Sequence, residues 1–428
     1  MNSVLLRFKT EWPSWMMVAF FALLPFRRLY EIPVSFFALS LIWLARSPEH
    51  RQRIRVASRF LLPLFLCYWV PVLLSSFDSV NPAKSWEHTA AALRFLAAAL
   101  AIAVWLQAPE ARARVLRYSA WLLLFWAVDG FVQLFLGHDL FGIPMNPDRL
   151  NALFYDRYQF YGPTLAMLSP LALEYARRHW RPWAWQLSFA LLFGAVLISG
   201  MRSGWMAMTI VLLVYVVLMF RPENRSLRRA LLTLPGLAVL VLVLTYLASP
   251  LLQQRIDVSR AFALGDHPAA DTSAMERIPL FRAALEMYAD HPVNGVGVRG
   301  FPYAYIGYAR PGDIHVKKGD GIYAGSHAHN IVLEVMADTG SIGLFGLVLA
   351  FALAWRWTKR APPDERGAAF PFALATFLVV FPLNSHFAIY GTYTSSLIWM
   401  LVGLWAAATG TAAAAGGERM ARGTAPTA

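Results

Sequence analysis

The sequence predicts an all-α integral membrane protein of about twelve transmembrane helices, with a helical domain inserted on the outer face before the tenth. Three observations carry that prediction. Of 428 residues, 58% are hydrophobic and only 15% are charged, whereas a soluble domain carries about 25% charged residues. Apolar runs of spanning length recur along most of the chain. Arginine and lysine collect in the links between alternate runs, as expected of cytoplasmic loops.

The runs fall at 14–26, 31–46, 59–76, 87–107, 115–136, 160–176, 183–200, 203–220, 229–248, 328–355, 367–383 and 392–410. The first is followed by Arg27 and Arg28 and lacks a small-residue cleavage site, so it reads as a retained span rather than a signal peptide. With the N-terminus inside, the inner links hold Arg46, Arg51, Arg53, Arg55 and Arg59; Arg112, Arg114 and Arg117; Arg177, Arg178 and Arg181; Arg221, Arg225, Arg228 and Arg229; and Arg356, Lys359, Arg360 and Arg366. Outer links are sparser, with Lys84 in one and Asn384 and His386 in the last; the Arg27 and Arg28 pair is the exception. Both termini then lie in the cytoplasm. The expected organisation is spans one to nine over 1–248, an outer loop domain over 249–326, spans ten to twelve over 327–410, and a flexible Ala/Gly-rich cytoplasmic tail over 411–428. Within the loop domain, Ile278, Phe281, Leu285 and Tyr288 stand at helical spacing, which predicts an amphipathic helix over 275–289 with Pro279 near its start. The following DHPVNGVGVRG, 290–300, predicts a Gly/Pro-rich turn.

The net charge of +13 is spread in short membrane-flanking clusters, with no basic domain or aromatic RNA-binding motif, which excludes nucleic acid as a partner. The one cysteine, Cys67, lies in an apolar run, so neither an intrachain disulfide nor a cysteine zinc cluster can form.

Polar chemistry gathers at 323–346, YAGSHAHNIVLEVMADTGSIGLFG, where His327, His329 and Asn330 stand at the outer mouth of the tenth span. A histidine titrates near neutrality and can take a proton from an alcohol; the plain alternative is an interfacial histidine bonded to a carbonyl. Asn330, Glu334 and Asp338 form a stripe at i, i+4, i+8, with the two acids roughly 7 Å and 13 Å along the axis from His329. Such acids either bond neighbouring helices or orient the histidine. Gly340, Gly343 and Gly346 read as small-residue helix contacts. Arg202 sits in the short turn SGMRSG with Ser199, Gly200, Ser203 and Gly204, and is either a snorkelling anchor or a phosphate ligand, since a guanidinium binds phosphate oxygens as a fork. Arg277 and Arg282 would add to such a site from the outer helix, with Lys84 a weaker candidate. Arg149, Asp156 and Arg157 read as solvated loop charges, a sugar site being the alternative. No metal-ligand pattern is present. Asp129, Glu334 and Asp338 are the acids that a transporter would use, but charge concentrates at the outer mouth and no inverted repeat is evident.

These motifs carry a family resemblance. His329 and Asn330, then nine residues, then Gly340, Ser341, Ile342 and Gly343 resemble the His-Asn/Ser/Gln, nine-residue gap, Gly-x-x-Gly signature of O-antigen ligases of the WaaL type. SGMRSGWMAM around Arg202 is similar to the arginine turn of the wider superfamily that includes O-antigen polymerases and protein O-oligosaccharyltransferases, though Ser203 stands where a glycine follows the arginine. ERIPLFRAALEMYADHPVNGVGVRGF resembles that superfamily's loop helix, which maps its arginine onto Arg277. The resemblance implies a GT-C-like membrane glycosyltransferase of the bacterial inner membrane with a periplasmic active site and no cofactor. It implies inverting, metal-independent transfer of O-antigen polysaccharide from an undecaprenyl-diphosphate-linked donor to a lipid A-core acceptor, completing lipopolysaccharide, among membrane lipids as the surrounding partners. His329 would be the general base, with His327 its rival. Arg202, Arg277, Arg282 and Lys84 would bind the diphosphate, and Asn330, His327 and Glu334 would support. Polymerisation of O-antigen repeats or protein glycosylation are the alternatives within the superfamily.

Overall fold

The computed structural model describes residues 2–147, 149–220, 277–318, 322–323, 327–384 and 386–409, together with single residues 228, 243, 246, 247, 253 and 257, and among them side chains from residue 11 onward except at 156–158, 219, 317–318 and 322–323. The ninth predicted span, most of the loop domain before 277 and the tail at 411–428 fall almost entirely outside the described residues. The helices are α1 (Asn2–Ala22), α2 (Glu31–Leu44), α3 (Pro48–Ser75), α4 (Pro82–Trp105), α5 (Pro109–Leu136), α6 (Tyr161–His179), α7 (Pro182–Ile198), α8 (Arg202–Met219), α9 (Arg277–Asp290), α10 (Phe301–Tyr308), α11 (Ile331–Arg360), α12 (Pro363–Val379) and α13 (Thr392–Thr409). Two short strands, Lys317–Lys318 and Ile322–Tyr323, pair antiparallel. Helices therefore lie over each predicted span that the described residues cover. Of these, α3, α4, α5 and α11 are long and apolar enough to cross a membrane; α2, α7 and α8 are shorter apolar helices.

The chain forms two compact units, one of Met1–Tyr30 and Ala113–Thr272, the other of Glu31–Arg112 and Ser273–Ala428. Each is built on one helix buried along nearly its whole length. In the first unit that helix is α6, packed by α7 and α8. Glycine allows the approach: a Cβ on Gly162 would fall 1.9 Å from the Ser199 Oγ. In the second it is α13, whose residues 393–409 are all buried, packed by α3, α4 and α12. A helix apolar on every side has to be interior. Because lipid tails are as apolar as leucine, close packing rather than water exclusion holds such helices together, and Gly403 of α13 lies against Ala99 and Ile102 of α4 accordingly.

One end of the second unit is a cap. Leu280, Ala283, Ala284 and Met287 of α9 join Phe301 and Tyr305 of α10 in one apolar cluster with Ala328 and Ala337. The α9 helix lies on the segment read from 275–289, but the face it buries is Leu280, Ala283, Ala284 and Met287, which pack on α10, and not the expected Ile278, Phe281, Leu285 and Tyr288, of which Ile278 and Leu285 are exposed. Two phenols anchor the rim: Tyr305 bonds Asp313 at 2.9 Å and Tyr308 bonds Asp290 at 3.0 Å. Burial, then the Asp290 bond, pushes the Tyr308 phenol up to about 12, so it remains a donor at any working pH.

One feature was not legible in the pattern. The α11 helix is interrupted at Gly340, whose φ of 62° and ψ of −155° lie in a region open essentially to glycine alone. The loop 291–300 fills the interruption. Val296 N–H donates to the Ala337 carbonyl at 2.7 Å, and Ser341 N–H donates to the Pro292 carbonyl at 2.8 Å. Without the break, Ala337 and Ser341 would bond each other, so the loop replaces both partners of one helical hydrogen bond. A Cβ on Gly340 would meet the Val293 carbonyl oxygen at 2.2 Å, and one on Gly295 the Ala337 oxygen at 2.4 Å. The reading of Gly340 as a helix contact is thus corrected: its backbone receives a loop. Gly346 does serve as a helix contact, its Cβ position lying 2.3 Å from the Cys67 carbonyl oxygen of α3.

Candidate functional site

The head of α11 begins with a strained histidine. His329 has φ 50°, a left-handed backbone that costs a non-glycine residue on the order of 1–3 kcal/mol and persists only where its surroundings fix it. Asn330 follows as the N-cap, its side chain accepting from Leu333 N–H at 3.1 Å, a role asparagine fills well. This cap moves the helix start three residues beyond the predicted 328. The His329 ring packs on that of His327, with ring centroids 4.0 Å apart and planes inclined by 41°.

Both rings are half-buried, and the Nε2 of His327 is shut off from solvent. The His327 ring bonds the backbone of His386, in the loop between α12 and α13. Burial, then the charges of His329, His386 and Arg299, hold its imidazole well below the usual histidine range. It is therefore neutral at neutral pH, and His329 has an uncharged neighbour.

Two buried acids set the loops around this head. Glu334 accepts from Ile389 N–H at 3.1 Å and Tyr390 N–H at 3.4 Å, fixing the segment that carries His386. Asp338 accepts from Arg299 N–H at 2.9 Å and Phe301 N–H at 3.1 Å, fixing the loop that enters α10. Both acids make hydrogen bonds, but to the amides of loops and not to neighbouring spanning helices. Asp129, in the first unit, likewise accepts from Leu140 N–H at 2.9 Å. The three acids that kept a transporter in view thus all hold backbone amides.

The loop 291–300 is fastened on its other side as well. Val298 N–H donates to Ser75 Oγ at 3.1 Å, the Val298 carbonyl accepts from Ser85 Oγ at 2.7 Å, and Val80 N–H donates to the Val296 carbonyl at 3.0 Å. Beside it, Tyr68 Oη lies 3.0 Å from His88 Nε2 and 3.1 Å from Ser395 Oγ. The arrangement gathers Arg299, His327, His329 and His386 with the Tyr68 and His88 pair at the cap end of the second unit. Below it, a largely apolar cavity of about 470 Å³ runs between α3, α11, α12 and α13. Its wall on α11 extends from Val335 to Thr358, roughly 35 Å of helix.

The remaining expected residues are placed as follows. Arg277 opens α9, half-buried. Arg282 lies one turn on, 3.5 Å from Glu286. Lys84, in the first turn of α4, pairs with Glu87 at 2.7 Å. Arg202 belongs to the first unit, where it is exposed at the first residue of α8, behind Gly200 with φ 68°. Arg149 reaches the same turn, donating to the Gly200 carbonyl at 3.3 Å, so it is not a free loop charge. The side chains of Asp156 and Arg157 fall outside the described residues. Sequence reasoning missed Arg299, His386 and the Tyr68 and His88 pair. Arg299 stood inside the quoted GVGVRG and His386 in a predicted outer link; Tyr68 lay inside the third predicted span and His88 at the edge of the fourth, far apart in sequence, so nothing marked them as a pair.

Fold and site together define a multi-pass membrane protein whose polar chemistry is gathered at the capped entry of a spanning helix. Residues 187–348 match the family model described as Wzy_C, O-antigen ligase. The match takes in Arg202, Arg277, Arg299, His329 and the break at Gly340, and it supports the O-antigen ligase and polymerase family of glycosyltransferase-like membrane enzymes. No curated protein matches the chain.

Proposed function

We propose that the protein is an O-antigen ligase of the WaaL type, transferring a glycan from undecaprenyl diphosphate to the lipid A-core at the periplasmic face of the inner membrane. The observation that carries this reading is His329, strained beside a neutral His327 at the head of α11 and inside the matched segment. In the proposed step a nitrogen of His329 takes the proton of an acceptor hydroxyl. The freed oxygen attacks the anomeric carbon of the first glycan sugar, the bond from that carbon to the diphosphate oxygen breaks, and the leaving group keeps its electron pair. Attack opposite the leaving group inverts the configuration. Arg202 and Arg277, with Arg282 and Lys84, are assigned to the charge that grows on the diphosphate, a preorganised electrostatic role worth several kcal/mol in comparable sites. The arginines take that role because the outer loops contain no Asp-x-Asp pair to hold a divalent ion. The apolar cavity beneath the head suits the polyprenyl chain of such a donor.

The test is reconstitution of the full-length protein with undecaprenyl-diphosphate glycan, offered lipid A-core, a periplasmic acceptor protein, or no second acceptor. A gel shift of lipid A-core that persists in chelator supports the reading. Shift of the protein acceptor or lengthening of the donor glycan alone would reassign the acceptor, and transfer abolished by chelator and restored by a divalent ion would overturn the mechanism.

A further inference from the structure

Arg299 is unlike the other cations of the second unit. Its φ is 62°, and among the described residues only Arg27, Ala152 and His329 share a positive φ without being glycine. The backbone around it is fixed from both sides. Its own N–H and that of Phe301 are held by Asp338, and Val298 is held by Ser75 and Ser85. Glycines stand nearby at 295, 297 and 300, so a fourth at 299 would fit this loop with less strain. An arginine stands there instead, and backbone strain kept at a fixed position is a pointer to function.

The side chain has nothing structural to explain it. Arg299 is exposed, and among the described residues its guanidinium makes neither an ion pair nor a hydrogen bond. Its charge acts on His327 at the head of α11 and on Tyr68 and His88 beside it. It also acts on Glu334 and Asp338, but both carboxylates are already bonded to backbone amides. This is a fixed backbone presenting a fork of donors within electrostatic reach of His327, whose ring packs on that of the proposed base.

We propose that Arg299 is a further ligand of the donor's diphosphate, its guanidinium binding a phosphate oxygen beside His329. The proposal rests on the reading of the protein as a polyprenyl-diphosphate glycan transferase. No bond of the substrate is made or broken by Arg299; it holds negative charge that is present in the donor and increases as the diphosphate departs.

The strain supplies a discriminating variant. In the full-length protein, Arg299→Gly removes the guanidinium and at the same time suits the backbone, so it should unfold at a temperature no lower than wild type. Binding of undecaprenyl diphosphate alone should weaken by tenfold or more, because a charge-assisted fork is lost. The KM for donor should rise correspondingly while the KM for acceptor stays unchanged, and Arg299→Lys should recover only part of the affinity, since a point charge replaces the fork. Wild-type affinity for undecaprenyl diphosphate in Arg299→Gly would overturn the proposal. So would a lowered unfolding temperature restored by Arg299→Lys, which would make the side chain structural. A wild-type protein that binds no undecaprenyl diphosphate would overturn the underlying reading itself, and that control separates the two failures.

Discussion

Above the break at Gly340, α11 uses side chains to hold other segments' backbone; below it, α11 uses the lack of side chains to admit a neighbouring helix. The upper part, 331–339, carries Asn330 at its cap, Glu334 and Asp338, whose carboxylates bind four amides of two separate loops. Thr339 Oγ1 adds a 2.8 Å contact to the Tyr390 hydroxyl. The lower part meets α3 at Gly346 and lines the apolar cavity. The two parts differ because their tasks differ. Near the head, loops with Arg299 and His386 have to be fixed against one helix, and buried carboxylates do so with short bonds to N–H groups. Within the apolar layer there are no loops to fix, and contact area decides.

That contrast can be broken by substitution. Gly340→Val should have the largest effect, because a branched side chain enters glycine-only backbone and meets the Val293 carbonyl oxygen; a loss of about 3 kcal/mol or more is expected, read as a lower unfolding temperature in detergent. Wild-type stability would mean that the break is not fixed. Asp338→Ala leaves the Arg299 and Phe301 amides without their acceptor and should cost about 2–4 kcal/mol, accompanied by faster hydrogen exchange confined to 296–304. Gly346→Val acts on the lower part and should cost about 1–3 kcal/mol by overpacking, with no change in donor KM. A shift of donor KM there equal to that from the upper part would erase the distinction.

The smallest effect concerns pH. His327 is held neutral when folded, so below about pH 6.5 the unfolded chain binds a proton that the folded chain does not. Its contribution is present above that pH and is lost as pH falls toward the depressed folded value, by at most about 1.4 kcal/mol per pH unit. His327→Gln should flatten the dependence of unfolding temperature between pH 7 and 5. An unchanged slope would place the acid sensitivity elsewhere.

Much of this was written in the sequence, for identifiable reasons. Spans announce themselves because the bilayer demands long apolar runs; α9 was legible as a helix, but with apolar residues on more than one side its periodicity did not say which face is buried. The polar head at His327, His329 and Asn330 was visible as the point where chemistry-bearing residues meet a span. The break at Gly340 was hidden because its partners come from 291–300, some forty residues earlier, and helix periodicity does not register an exchange of hydrogen-bond partners. Glu334 and Asp338 stood on the expected stripe, but what they bind is decided by loops remote in sequence. For the same reason Arg299 looked like one more charge in a glycine-rich turn until its backbone was seen tied to Asp338.

The account depends most on His329 as the group that takes the proton. The direct measurement compares glycan transfer by purified His329→Asn and His327→Asn with wild type, using undecaprenyl-diphosphate glycan and lipid A-core. Asparagine tolerates the left-handed backbone at position 329 and has no basic nitrogen, so the fold is kept while the base is lost. The account predicts that His329→Asn unfolds like wild type and transfers at least about a hundredfold more slowly, with His327→Asn still active. Undiminished transfer by His329→Asn, with transfer lost in His327→Asn, would contradict it.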